Sequence, residues 1–169
     1  MGGNRFKGEN HYSGFPNQLV TQVQILPSPL MKSSKLLEQV GITRKHLRDS
    51  VRYNIIITVI GFFVVTALGL SIGFKRIEVD LIWLPAYVLV SVPLQELIFR
   101  GIIQTSLYRF DKKIAVTASA ILYAAVHYYD PTLVLLTLAA GLAWGYAFWK
   151  KPNLLGPVIS HALLGVYLF

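Results

Sequence analysis

The feature that most constrains this chain is Tyr53 to Phe74, 22 consecutive residues without a charged side chain. A helix needs about 20 apolar residues to cross the hydrocarbon layer of a bilayer, so this stretch predicts a transmembrane helix. Leu81 to Tyr108 is also long enough to span; Glu96 and Arg100 are its only charges, and Pro93 near its middle is an expected kink. Thr132 to Trp149 is a third span, and the shorter apolar runs Ile114 to Tyr128 and Leu154 to Phe169 read as membrane-embedded. Polar breaks separate them at Lys75 to Asp80, Arg109 to Lys113, Tyr128 to Pro131 and Lys150 to Asn153. Pro131 and Pro152 stand where one run ends and the next begins. The expected fold class is all-α, a polytopic transmembrane bundle of about five membrane-embedded helices over residues 53–169.

Lys and Arg are spread unevenly over the breaks, and that bias sets orientation. With the N-terminus inside, 13 of them fall on the cytoplasmic side, through Arg52, from Arg109 to Lys113 and at Lys150 and Lys151, against Lys75 and Arg76 outside. The reading is a multi-pass integral membrane protein with a cytoplasmic N-terminus. The asymmetry accounts for much of the net charge of +8, and no stripe of aromatic and basic residues suggests a nucleic-acid groove. The bilayer is therefore the expected partner, and nucleic acid is not. Residues 1–30, rich in Gly, Asn, Gln and Pro, read as a disordered cytoplasmic tail. In residues 31–52, Leu36, Leu37, Val40, Leu47 and Val51 recur at helical spacing beside Lys35, Arg44, Lys45 and Arg48. That predicts a juxtamembrane basic amphipathic helix, lying on an anionic leaflet or simply solvated, restarted by Thr43 as N-cap after Gly41. With no cysteine in the chain, disulfides, thiolate nucleophiles and Cys-ligated metals are excluded.

Ionisable groups at membrane depth cost at least a few kcal/mol each and usually face a polar cavity. Counted at ~1.5 Å per residue from the basic breaks, Glu96 and His127 lie about 20 Å deep, Arg100 about 14 Å and His161 about 15 Å. Three helices thus deliver these groups to similar levels, which predicts one shared polar site. Plainer readings compete. Glu96 and Arg100 also suit a self-neutralising i, i+4 pair, His127 an interfacial aromatic belt with Tyr128 and Tyr129, and His161 a neutral helix-to-helix bond. Gly141 to Gly145 is a small-residue step that argues for close helix packing.

The run Gln95-Glu96-Leu97-Ile98-Phe99-Arg100-Gly101, then Tyr123-Ala124-Ala125-Val126-His127, then His161-Ala162-Leu163-Leu164-Gly165 resembles the three motifs of the CPBP or Abi family. That family comprises the CAAX prenyl proteases and the bacteriocin-processing or immunity membrane proteins. The resemblance covers roughly Tyr53 to Phe169 and implies an intramembrane endopeptidase that cleaves a hydrophobic or prenylated peptide. It further implies a glutamate and a histidine activating water, here Glu96 and His127, with His161 binding the oxyanion and Arg100 positioning the carboxylate. The residues leave the cofactor open, since two histidines and a carboxylate match a zinc donor set while no His-Glu-x-x-His helix demands one.

Two departures bear on activity. The family's first glutamate is Gln95 here, and an amide cannot accept and return a proton at neutral pH. Gly165 supplies no side-chain donor where the family often has Asn. Tyr123 for Phe is a milder change. A peptidase is therefore weighed against a catalytically impaired relative acting as a peptide-binding immunity or scaffold protein. A proton or solute transporter ranks third, because no internal repeat is visible.

Overall fold

A computed structural model describes residues 33–73 and 82–168. The expected tail, the Lys75 to Asp80 break and Phe169 lie outside the described residues. The described chain is an all-α bundle without a strand. Its helices are α1 (Ser33–Gln39), α2 (Leu47–Ile72), α3 (Trp83–Leu107), α4 (Lys112–Ala125), α5 (Pro131–Lys150) and α6 (Leu155–Leu168).

Helices α2, α3 and α5 are each long and apolar enough to cross a membrane. Helices α4 and α6 have 14 residues each, about 21 Å of rise against a hydrocarbon core of about 30 Å. At that length neither crosses the hydrocarbon core alone. The exposed side of α2 carries Ile56, Phe63 and Leu70, seven residues apart and so on one helical face, which suits lipid contact.

Local chemistry sets the helix starts. Asp111 accepts from the backbone N–H groups of Lys113 (2.7 Å) and Ile114 (2.9 Å) to open α4. Asp130 caps α5 through Thr132 N–H at 2.8 Å, with Pro131 in the first helical position where its missing N–H costs nothing. Thr43 does not cap α2. Its hydroxyl oxygen is engaged by Lys45 N–H at 3.1 Å, which closes a turn, and the helix starts after His46, whose left-handed backbone (φ 55°) breaks the chain direction there.

Helix α3 is not a uniform α-helix. Two π-helical stretches, Tyr87–Ser91 and Leu97–Gln104, flank an α-helical turn, Val92–Glu96, that holds Pro93. Such wide turns are rare and gather at functional sites. The carbonyl of Phe99, inside the second stretch, accepts from Ser119 Oγ of α4 at 2.6 Å.

Packing is closest along two seams, α4 with α5 and α2 with α6. A Cβ at Gly141 would stand 3.2 Å from Ala120 Cα, and one at Gly145 would stand 3.0 Å from Gln104 Oε1, so the small-residue step is a packing device. On the second seam a Cβ at Gly156 would overlap Ser50 Oγ. The end of the bundle that carries the basic residues is tied together by hydrogen bonds, beside a hollow of about 930 Å³ lined by α1 and the second half of α3. Asn153 Nδ2 donates to Lys45 C=O (3.1 Å), Leu154 N–H to Gly41 C=O (3.0 Å), and Lys151 pairs with Asp49 (2.7 Å).

Candidate functional site

Glu96 and Arg100 lie on α3 with no exposed surface at all. Arg100 Nε stands 3.2 Å from Glu96 Oε2, but its N–H points off the oxygen, so the contact is coulombic and not an aligned hydrogen bond. The guanidinium carbon instead lies 4.7 Å from the Tyr123 ring centre and 5.5 Å from that of Trp144, and Nη1 and Nη2 have no protein acceptor. Two π-faces therefore take part of the charge that water would take outside, an interaction worth about 2 kcal/mol when desolvated.

The other carboxylate oxygen meets α6. Glu96 Oε1 lies 2.8 Å from His161 Nδ1, and because an ionised carboxylate only accepts, Nδ1 carries the proton. In the neutral imidazole Nε2 then holds a lone pair, which receives the Tyr123 hydroxyl of α4 at 3.1 Å. Trp144 of α5 stacks on the imidazole at 4.7 Å and 19°, and is itself fixed by Nε1–H to Ser160 Oγ at 2.9 Å. Four helices thus supply one enclosed chain of groups, Arg100, Glu96, His161 and Tyr123, with Trp144 as its flat support.

Beside this chain is a cavity of about 410 Å³, within the usual size range for small-ligand sites. Gln95, Tyr87, His127, Tyr129, Thr137 and His161 are among the residues that bring its polar atoms, and its remaining walls are largely aliphatic. Glu96 is not on the wall; Gln95 is. The Gln95 amide donates to Ser91 Oγ at 2.8 Å, and its Oε1 is buried without a partner. His127, half-buried just past the end of α4, donates from Nδ1 to the Tyr123 carbonyl at 3.0 Å, leaving the Nε2 lone pair as its acceptor. No hydrogen bond or ion pair joins His127 to Glu96.

A family model for type II CAAX prenyl endopeptidases, Rce1-like, matches residues 76–167, more than half of the chain. The chain belongs to that family. No curated protein and no solved structure matches it. All three motif regions fall inside the matched segment, so the apolar bundle is a membrane bundle of the CAAX-protease kind.

Within this family frame, the convergence of Glu96, Arg100 and His161 expected from depth is present, and His127 joins them through Tyr123. Three contributors were missed. Tyr123 read as a mild replacement for Phe, yet its hydroxyl occupies His161 Nε2. Trp144 was absorbed into the glycine step around it. Tyr87 of α3 carried no motif at all, but a Cβ at Gly165 would overlap its hydroxyl, so Tyr87 fills the space that a side chain at position 165 would need. Only the phenylalanine-to-tyrosine change at position 123 left a signal in the chain.

The donors do not suit a metal. Among the described residues no three His, Asp or Glu side chains are grouped as a metal site requires, and a cation at Glu96 would have to displace a guanidinium already beside that carboxylate.

Proposed function

We propose that this member keeps the family's peptide cavity but not an efficient hydrolytic step, and acts chiefly by binding a hydrophobic or prenylated peptide within the membrane. One observation carries the reading. The side chain on the cavity wall is the amide Gln95, while the neighbouring carboxylate, Glu96, is fully buried and turned to His161 and Arg100. A positioned general base contributes about 10²–10⁴-fold to a rate, and an amide contributes none of it. The oxyanion side is weakened too. His161 Nε2 is already engaged by the Tyr123 hydroxyl at 3.1 Å, and Gly165 has no side chain. What remains suits binding: Gln95 Oε1 and His127 Nε2 as acceptors for peptide N–H groups, set in apolar walls.

The competing reading assigns water activation to Glu96 and His127, with His161 on the oxyanion and Arg100 as the positioning group. It requires the carboxylate to leave both of its buried partners and enter the cavity, which costs several kcal/mol for an ion in so apolar a setting. The two readings separate when the protein, reconstituted in bilayers, is offered labelled prenylated and unmodified hydrophobic peptides. Wild type is expected to bind without measurable turnover, and Gln95→Glu to cleave at least about 100-fold faster. Wild-type cleavage as fast as that of Gln95→Glu, lost in Glu96→Gln while binding persists, would reinstate Glu96 as the base.

A further inference from the structure

The hollow at the basic end shares no lining residue with the peptide cavity. The short helix α1 makes one side of it. Its end closes through Ile42 N–H to Leu37 C=O at 2.8 Å, and Gly41, at φ 87°, turns the chain where a Cβ would overlap the Phe148 ring. Only glycine meets both demands, and Leu154 N–H on Gly41 C=O at 3.0 Å then ties this turn to the α5–α6 connection. Gly101 of α3 lets α1 come close, since a Cβ there would stand 2.9 Å from the Val40 carbonyl oxygen. Two glycines thus fix α1 against α3 and α5, and the hollow is the space which that seating leaves beside them.

Its walls and its rim differ in chemistry. Leu36, Leu37, Ile42 and Ile102 line it and are each about half exposed, so their apolar surface faces outward from the protein. In a chain of a membrane-protease family, such surface at the end of the spans is available to acyl chains. The rim is rich in donors. Thr43 Oγ1 accepts from Lys45 N–H and Tyr108 Oη from Gln104 Nε2, so both hydroxyl protons are left for a further acceptor. The Lys45 ammonium has three protons and gives one to Glu38. Across residues 33–48, Lys35, Arg44, Lys45 and Arg48 stand against the single Glu38, and Arg44 and Arg48 are exposed with no ion pair among the described residues.

We infer that this hollow is a binding site for an anionic glycerophospholipid, with an acyl chain between α1 and the second half of α3 and the phosphate at Thr43, Lys45 and Tyr108. Apolar walls alone would take any lipid; the cationic, donor-rich rim selects one whose headgroup has net negative charge. The site is independent of the peptide cavity and stands whether or not the chain hydrolyses a peptide. It also gives the amphipathic segment around Leu36 and Leu37 a definite place, as one wall of a lipid pocket and not as a helix lying flat on the bilayer.

Because the full chain has no cysteine, a single fluorophore can be attached at Ile102→Cys, on the wall of the hollow, or at Phe63→Cys, on the exposed side of α2. The labelled full chain is reconstituted in phosphatidylcholine vesicles that carry a minor fraction of brominated phosphatidylglycerol or the same fraction of brominated phosphatidylcholine, with bromine at the same acyl position in both. The ratio of the two quenching efficiencies reads headgroup selection at each site, whatever its depth. It should reach about fivefold or more at Ile102→Cys and stay close to one at Phe63→Cys, since each basic group near an anionic headgroup is worth about fivefold. Adding Arg44→Gln and Lys45→Gln, both at exposed side chains, should bring the Ile102→Cys ratio near one without lowering the melting temperature. A ratio near one at both positions in the otherwise unchanged protein overturns the anionic site. Quenching at Phe63→Cys with none from either lipid at Ile102→Cys means that protein occupies the hollow, and overturns the lipid. A high ratio that survives the double substitution overturns the basic rim as its cause.

Discussion

The two ends of this bundle are built from different materials. At the basic end, backbone and side-chain hydrogen bonds join the segment around Gly41 and Lys45 to the α5–α6 connection, and Asn153 bonds in several directions at once. At the other end there is an apolar hollow with aromatic edges. A fully satisfied polar network fixes one geometry, whereas apolar contacts tolerate a change of occupant. Stability should therefore be concentrated at the bonded end and ligand response at the hollow one, with the Glu96 pair on the boundary.

The harshest test of that division is Arg100→Met, which strands the Glu96 carboxylate. Removing one partner of a buried pair costs about 3–5 kcal/mol, to be measured by unfolding in detergent or bicelles, and adding Glu96→Gln should recover most of it. If Arg100→Met unfolds like wild type, the pair does not hold the boundary. Next, Gly156→Val forces a side chain into Ser50 on the α2–α6 seam, an overpacking worth about 1–3 kcal/mol. Peptide affinity should survive it, and a loss of affinity larger than the loss of stability would blur the two ends.

Tyr123→Phe should act the opposite way. It removes one hydrogen bond, about 1 kcal/mol of stability, but uncovers His161 Nε2 toward the cavity, so the affinity for peptide should change by more than stability does. The smallest effect is expected at Asp111, where hydrogen bonds from backbone N–H, that of Ile114 foremost, lower the carboxyl pKa from its usual 3.8. A folded pKa below the unfolded one means that this contribution is complete above the unfolded value and fades as pH falls through the folded value. The melting temperature should thus decline slightly below about pH 4, and Asp111→Asn should flatten that decline.

Much of this division was legible before any coordinates. Apolar runs and basic breaks gave the helices, because a bilayer permits few alternatives to a helix for an uncharged run of that length. Counting rise from the breaks brought Glu96, Arg100, His127 and His161 to similar levels; the structure brings the first two and His161 into contact, and leaves His127 bonded to the Tyr123 carbonyl instead. What escaped were facts of angle rather than of depth. Nothing in Leu97 to Gln104 announces π-helical turns, and adjacent residues such as Gln95 and Glu96 share a level while facing different surroundings. Hence the carboxylate expected on the wall is enclosed, and the amide beside it lines the cavity. The Tyr123 hydroxyl was visible as a letter, but its partner on α6 could not be read without the fold.

The contact between Tyr87 and Gly165 ties two distant letters of the chain into one choice. Since the Tyr87 hydroxyl takes the room of a side chain at 165, a variant that gains Asn at position 165 must first, or at the same step, shorten or turn the residue at 87. Either change alone is a poor intermediate: one crowds the helices, the other opens a void. The route to a side chain at position 165 therefore runs through a paired substitution, and laboratory selection for cleavage should find changes at 87 and 165 together more often than either by itself.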